Sequence, residues 1–247
     1  MEMEEFASGN SWVHKLDPRV KIVITLVFSV VVALNNHLEM TAISMILPII
    51  LLICARLDFR KVMVRLAVVN TFVVFLWLFL PFTTPGETIY AIGPLTIQRE
   101  GVYQALLITL KSNSIILIAL ALLATSKIFT LVHALSHLWV PDKLVHLFFF
   151  CFRYIHVIND EYHRLINAMK MRGFKPSTNM RTYRSYSYLV GMLLIRSFNR
   201  SKRILQAMRC RGFKGKFYIL HHYEMKRYDY AVGGSSLAFS ILLMVVK

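Results

Sequence analysis

Residues 66–82 read LAVVNTFVVFLWLFLPF, seventeen positions without a charged side chain. A helix needs roughly 20 mostly apolar residues to cross about 30 Å of hydrocarbon. This run is close to that length and reads as a membrane span, ended by Pro81 and the turn-rich Thr83-Thr84-Pro85-Gly86. Four more runs have the same character: Ile22–Leu34, about Met40–Ala55 with Pro48 kinking it, about Gly101–Thr125, and Tyr230–Val246. The first is short, but the long stems of Arg19 and Lys21 can snorkel at its start.

The composition agrees. Of 247 residues 56% are apolar, and mean hydropathy is +0.54. Soluble domains run at about 45–50% apolar. The net charge is nevertheless +16. Residues 151–227 carry 17 bases against 3 acids, +14 of that total, and the remainder is nearly neutral. Oil and charge are therefore segregated along the chain, as in a membrane protein with one basic aqueous region.

The bases in the short connections set an orientation. Lys15, Arg19 and Lys21 precede the first span, and Arg56, Arg60, Lys61 and Arg65 separate the second from the third. No Lys or Arg lies between the first and second, and only Arg99 lies between the third and fourth. The N-terminus and the basic block are expected in the cytoplasm and the C-terminal tip outside, with Lys247 the one dissenting charge. Residues 127–158 are ambiguous. Lys143–Ile158 is apolar but carries His146, Arg153 and His156, and the region reads as a partly embedded helical hairpin. Three regions result: transmembrane helices over 1–126, a basic helical region over 127–227, and a last transmembrane helix over 228–247. The fold class expected is an all-α polytopic membrane protein, with about five to six transmembrane helices plus long cytoplasmic helices.

One octapeptide occurs twice in the basic block. Residues 168–175 read Ala-Met-Lys-Met-Arg-Gly-Phe-Lys, and 207–214 read Ala-Met-Arg-Cys-Arg-Gly-Phe-Lys. Each copy closes a helix-like stretch, Asp160–Arg172 and Leu189–Arg211. Gly173 and Gly212 stand where a left-handed helix stop favours glycine. Arg172 and Arg211 then sit at helix C-terminal tips, where a cation suits the dipole. Met169 or Met208 and Phe174 or Phe213 flank each Arg as an apolar collar. A lone Arg-Gly is an ordinary cap. Two near-identical copies point to two like partners or two copies of one partner, since Arg is a frequent interface anchor.

At these residues the chain resembles the T component of energy-coupling factor transporters, the EcfT/CbiQ family. Leu16-Asp17-Pro18-Arg19-Val20-Lys21, and the stretch from Val140-Pro141 through Phe152-Arg153-Tyr154-Ile155 to Asp160-Glu161, extend the match. Ile195-Arg196-Ser197-Phe198-Asn199-Arg200-Ser201, leading to Gln206-Ala207-Met208, resembles the cobalt branch. The resemblance implies a non-catalytic membrane scaffold joining two ABC-type ATPase subunits to a substrate-binding S component, cobalt-specific on the same resemblance, in a prokaryotic cytoplasmic membrane. It implies that each coupling helix ends in an Ala-Arg-Gly-type triplet docking in one ATPase. Arg172, Gly173, Arg211 and Gly212 match those triplets, with Ala168, Ala207, Met169, Met208, Phe174 and Phe213 around them. Met171 and Cys210 replace the triplet's Ala. No cofactor is expected on this chain: Mg-ATP belongs to the ATPases and Co2+ to the S component.

Other chemistry lacks its motifs. Gly212-Phe213-Lys214-Gly215-Lys216, followed by Phe217, does not have phosphate-loop spacing. No H-E-x-x-H or Gly-x-Ser-x-Gly occurs. Cys54, Cys151 and Cys210 are scattered, which disfavours a disulfide framework or a zinc site. Met1–Glu5 is acidic and no cleavage site follows the first oily run, so no signal peptide is expected. His133 and His137 have a metal-compatible spacing without a third ligand, and no metal site is expected. His221 and His222 beside Tyr223 read as interfacial, and His146, His156 and His163 as ordinary polar positions. Lys111, with Ser112, Asn113 and Ser114, interrupts the fourth span. An intramembrane charge is a functional candidate by default, so Lys111 and Asn113 are candidate S-component contacts. Ala119, Ala121 and Ala124 permit close helix packing. A self-contained channel or secondary transporter would need more intramembrane charges than Lys111. A membrane-anchored anionic-lipid or nucleic-acid binder would find aromatics at Tyr183, Tyr186, Tyr188 and Phe198. General charge, however, does not require a repeated octapeptide, and no nucleic-acid partner is expected.

Overall fold

The computed structural model describes residues 9, 11–85, 88–92, 95–138, 140–213 and 227–245. Expectations placed on Met1–Glu5, Gly86, Lys214–Lys216, His221–Tyr223, Val246 and Lys247 lie outside them. The described chain is an all-α membrane protein apart from one β-hairpin. It divides into two compact units, one formed by residues up to 139 and from 223, the other by Val140–His222.

The first unit begins with a 3-10 turn, Trp12–Lys15. Helix α1 (Pro18–Leu34) follows, capped by Asp17, whose side chain accepts from the Arg19 amide at 2.9 Å. Proline at the first helical position loses no hydrogen bond there. Ile24, Phe28 and Val32 recur every four residues and form one buried stripe. Against it pack Leu51 and Ala55 from α3 (Ile46–Ala55), Ile118, Ala121 and Leu122 from α5 (Arg99–Leu122), and Leu243 from α9 (Arg227–Val245). Short α2 (Leu38–Ser44) precedes α3. The break falls at Met45, three residues before the proline expected to cause it. The ring of Pro48 blocks the hydrogen bond to the carbonyl four residues back, which is Ser44.

Helix α4 (Phe59–Thr83) contains the opening stretch. It runs two residues past Pro81 rather than stopping there, because a proline disrupts the turn before it more than the turn after it. Only Val62, Val73 and Pro81 are buried in α4. Val64, Val68, Phe72, Phe75 and Phe79 face outward, as apolar side chains do where the surroundings are lipid. Between α4 and α5 the sequence reading had only a turn. The structure has antiparallel strands β1 (Thr88–Ile92) and β2 (Leu95–Gln98). Leu38–Ala55, α4 and α5 are long and apolar enough to cross a membrane. α1 has 17 residues and α9 has 19, lengths of about 25 and 28 Å.

Helix α6 (Ile128–Ser136) buries Val132 and Ala134 and packs with α1. The boundary drawn from sequence at 126/127 therefore differs from the one given by packing, at 139/140. The run 143–158 lies within one continuous helix. It is the first part of α7 (Asp142–Met171), 30 residues long. No Gly or Pro occurs between Asp142 and Met171, so nothing breaks the helix before the octapeptide. In the second unit α7 is followed by α8 (Met180–Cys210), which starts nine residues before the sequence estimate. Val145 alone is buried in α7, and Thr182 and Leu189 in α8.

Gly101 fixes how closely α5 approaches α4. A Cβ there would lie 2.5 Å from the Leu80 carbonyl oxygen and 2.7 Å from Pro81 Cα, both backbone atoms. Gly101→Ala should therefore lower stability by about 1–3 kcal/mol, as overpacking does. Gly191→Ala, at a position with open space, should be neutral or stabilising by up to about 1 kcal/mol. Thermal unfolding in detergent measures both, and equal midpoints would contradict this account of the α4–α5 contact.

Candidate functional site

The two octapeptides fold into the same object. At the end of α7, the Gly173 amide donates to the Lys170 carbonyl at 3.0 Å and the Phe174 amide to the Met169 carbonyl at 3.1 Å. At the end of α8, the Gly212 amide donates to Arg209 at 3.0 Å and the Phe213 amide to Met208 at 3.0 Å. This is the Schellman closure, which satisfies helix carbonyls that otherwise lack partners. Gly173 has φ +78° and Gly212 φ +81°, a conformation that a Cβ disfavours. An apolar pair at the residue after the glycine and the one five before it frequently accompanies this motif, and those positions hold Phe174 and Met169 in one copy and Phe213 and Met208 in the other.

Met, Gly and Phe in the repeat are thus explained by local folding. The Arg is not. Arg172 and Arg211 occupy the C-cap position, where only their backbone amides join the closure, donating to Ala168 and Met169 or to Ala207 and Met208. Both residues are exposed, as are Ala168 and Ala207. Met171 is 90% exposed and Cys210 is exposed. The positions that depart from the family's Ala therefore point away from the helix packing. Met169, Phe174, Met208 and Phe213 are half-buried. Each tip presents a guanidinium beside an apolar step.

Helices α7 and α8 are joined by an ion pair. Arg196 Nη1 donates to Glu161 Oε1, and Arg164 Nη1 lies 4.0 Å from Glu161 Oε2. The hydrogen bond from Arg196, helped by the charges of Arg196, Arg164 and Arg200, holds the Glu161 carboxyl below its ordinary value of 4.5, against partial desolvation. Around this pair an apolar groove of about 640 Å³ is lined by Phe150, Tyr154, Ile158, Ile204, Met208 and Phe213 among others. Phe174 meets Tyr186 edge-on, with ring centroids 5.7 Å apart. Arg172 and Arg211 lie about 16 and 22 Å along their helices from the pair.

The second candidate pair is differently placed. Lys111 Nζ donates to the Ala33 carbonyl at 2.8 Å and to Asn36 Oδ1 at 3.2 Å. Its ammonium therefore closes the C-terminal end of α1, where a cation suits the carbonyl dipoles. Asn113 is half-buried, and its Oδ1 accepts no hydrogen bond from the described residues. The rings of His133 and His137 meet at a tilt of 55°, centroids 5.1 Å apart, near the end of α6. No third metal-ligating side chain joins them among the described residues.

Sequence reasoning missed a buried polar cluster of Asp17, Lys21, Thr125, Ser126 and Asp229. The available signal was a charge at the margin of each of two distant spans. A charge is rarely left buried without a partner.

Two outcomes follow from this geometry. Gly173→Ala and Gly212→Ala should each cost about 1–2 kcal/mol, with Asn milder than Ala because Asn tolerates the left-handed region. The Glu161–Arg196 contribution is present above pH 4.5 and is lost as pH falls through the depressed carboxyl value. Glu161→Gln should accordingly lower the unfolding midpoint at neutral pH and leave it unchanged in strong acid.

Comparison with known proteins covers the same elements. The model of the CbiQ family, described as cobalt transport protein, matches residues 9–219, a span that includes both arginine tips. The energy-coupling factor transporter transmembrane protein EcfT of Leuconostoc gelidum subsp. gasicomitatum is 25% identical, over 98% of this chain and 95% of its own length. The protein of the same name from Heliobacterium modesticaldum is 28% identical, over 85% of this chain and 83% of its own. That from Bacillus subtilis is 25% identical, over 87% and 85%. With most of its length matched, from the first buried turn through both helix stops, this chain belongs to the CbiQ family of energy-coupling factor transporter transmembrane components.

Proposed function

We propose that this chain is the non-catalytic coupling subunit of an ATP-driven importer, and that Arg172 and Arg211 are its two points of attachment to a pair of ATPase subunits. The observation that carries the reading is the duplicated helix end. Folding accounts for the Met, Gly and Phe of each copy, and an exposed Arg without a folding role stands in the same place in both. Arg offers a planar fork to carboxylates or carbonyls, and apolar neighbours exclude water from such an anchor.

Closure and opening of the ATPases would move the two helices as rigid rods, and α7 and α8 are continuous over 30 and 31 residues. The motion would reach a membrane S component and expose its substrate alternately to the two sides. The basic unit faces the cytoplasm in this scheme, in keeping with the positive-inside pattern of Arg56, Arg60, Lys61 and Arg65. Cobalt ion is the proposed cargo, carried by the S component. Support comes from the resemblance at Ile195–Ser201 and Gln206–Met208 and from the family's description.

Arg172→Ala with Arg211→Ala should weaken ATPase capture about 30-fold or more, the scale of an interface hot spot of about 2 kcal/mol. It should also abolish uptake while the chain still folds in detergent. Replacement by Lys should not restore binding, since Lys lacks the bidentate fork. A double Ala variant that assembles and transports like the parent would refute the assignment. Uptake of labelled cobalt against nickel by the reconstituted complex tests the cargo.

A further inference from the structure

Lys21 is only 1% exposed, near the start of α1. Its ammonium donates to Ser126 Oγ at 2.7 Å and to Thr125 Oγ1 at 3.4 Å. Thr125 and Ser126 form the turn between α5 and α6, and both hydroxyls bond onward to carbonyls at the end of α5. Asp17, 4% exposed, caps α1 with one carboxylate oxygen. Its backbone amide donates to Asp229 Oδ1 at 3.2 Å. Asp229 is 2% exposed and stands in the first turn of α9. Beside it, Tyr228 rests on Trp12, with ring centroids 6.2 Å apart.

The chain order gives this cluster its interest. The second compact unit is inserted in the sequence after α6 and before α9. The segment leading into that unit is tied to Lys21 through Thr125 and Ser126. The segment leading out of it is tied to Asp17 through Asp229. Both ties end on the first turns of α1. Separating the first segment from α1 would take both hydroxyl acceptors from the buried Lys21 ammonium, and separating the second would take the Asp229 acceptor from the buried Asp17 amide; both are unfavourable in an apolar surround.

We infer that Lys21, Asp17 and Asp229 are positioning residues that lock both chain segments flanking the coupling unit onto α1. Displacement of that unit then passes into the membrane helices as one movement and is not absorbed at either connection. The inference rests on the coupling role proposed above. The sequence Asp17-Pro18-Arg19-Val20-Lys21 is on this view a joint as well as a helix start.

The test uses the complete complex with its ATPases and S component in proteoliposomes. Asp229→Ala, and Thr125→Val with Ser126→Ala, remove the side-chain acceptors that make the ties. Assembly and ATP hydrolysis should stay within about twofold of the parent, while uptake per ATP hydrolysed should fall about fivefold or more, the scale of a lost coupling free energy. Lys21→Arg keeps the charge and the donors and should retain coupling, whereas Lys21→Met should not. Assembled variants with the parent's uptake per ATP would overturn the inference. A second readout needs no partner. In the isolated full chain, hydrogen exchange should rise together at residues 123–127 and in the first turn of α9, with α4 unchanged. Unchanged exchange at either place would also overturn it. If Asp229→Ala fails to fold, Ser126→Ala alone decides by the same two measures. If the parent chain captures no ATPase, the coupling role fails by itself, and the exchange result still judges the joint.

Discussion

A polar group inside hydrocarbon has no water to bond, so it must find a partner within the protein. That constraint shapes the first unit at every level. Backbone amides close into helices. The hydroxyls of Thr71, Thr109 and Ser240 donate to carbonyls four residues back. Trp77 Nε1 donates across to Thr109 at 2.9 Å. Tyr103 accepts from the Leu38 amide and donates to the Asn36 carbonyl, both at 3.2 Å, which bridges the α1–α2 connection. Lys111 is the same rule applied to a charge. It ends on the Ala33 carbonyl in the last turn of α1 and on the Asn36 side chain just beyond it, where a helix leaves acceptors unused.

The residues most legible in the sequence were those whose signal is local. Seventeen uncharged positions at 66–82 named a span, and Gly173 and Gly212 named two helix ends. Pro48 foretold a break, displaced to Met45 because a proline acts on the turn before it. The uninterrupted α7 was harder to read. His146, Arg153 and His156 looked like the margin of an embedded segment, yet the absence of Gly and Pro was the better guide. The strands Thr88–Ile92 and Leu95–Gln98 were too short for a period to stand out. The Asp17–Asp229 contact joins residues more than two hundred positions apart, and no local pattern carries it.

The two units differ in what holds them. In the first, α1 sits among α3, α5 and α9 in a continuous apolar cluster. Among the described residues of the second, α7 and α8 bury Val145, Thr182 and Leu189, and the unit leans on the Glu161–Arg196 pair, the Phe174–Tyr186 rings and a groove. Sparse burial of this kind leaves large apolar and basic surface, with Tyr183, Met192, Leu194 and Phe198 all exposed. A monomeric soluble protein rarely carries so much. It fits a component whose surface is completed by bilayer and by neighbours.

The Schellman closure is written in seven residues, from Ala168 to Phe174 and from Ala207 to Phe213, and draws on nothing upstream. On the docking role proposed above, reach and grip are therefore separable in this architecture. Two whole turns added or removed within α7 or α8 would shift a fingertip by about 10 Å and return it to nearly the same azimuth with its chemistry intact. A lineage can retune the span of its machine by indel alone, leaving the contact alphabet untouched.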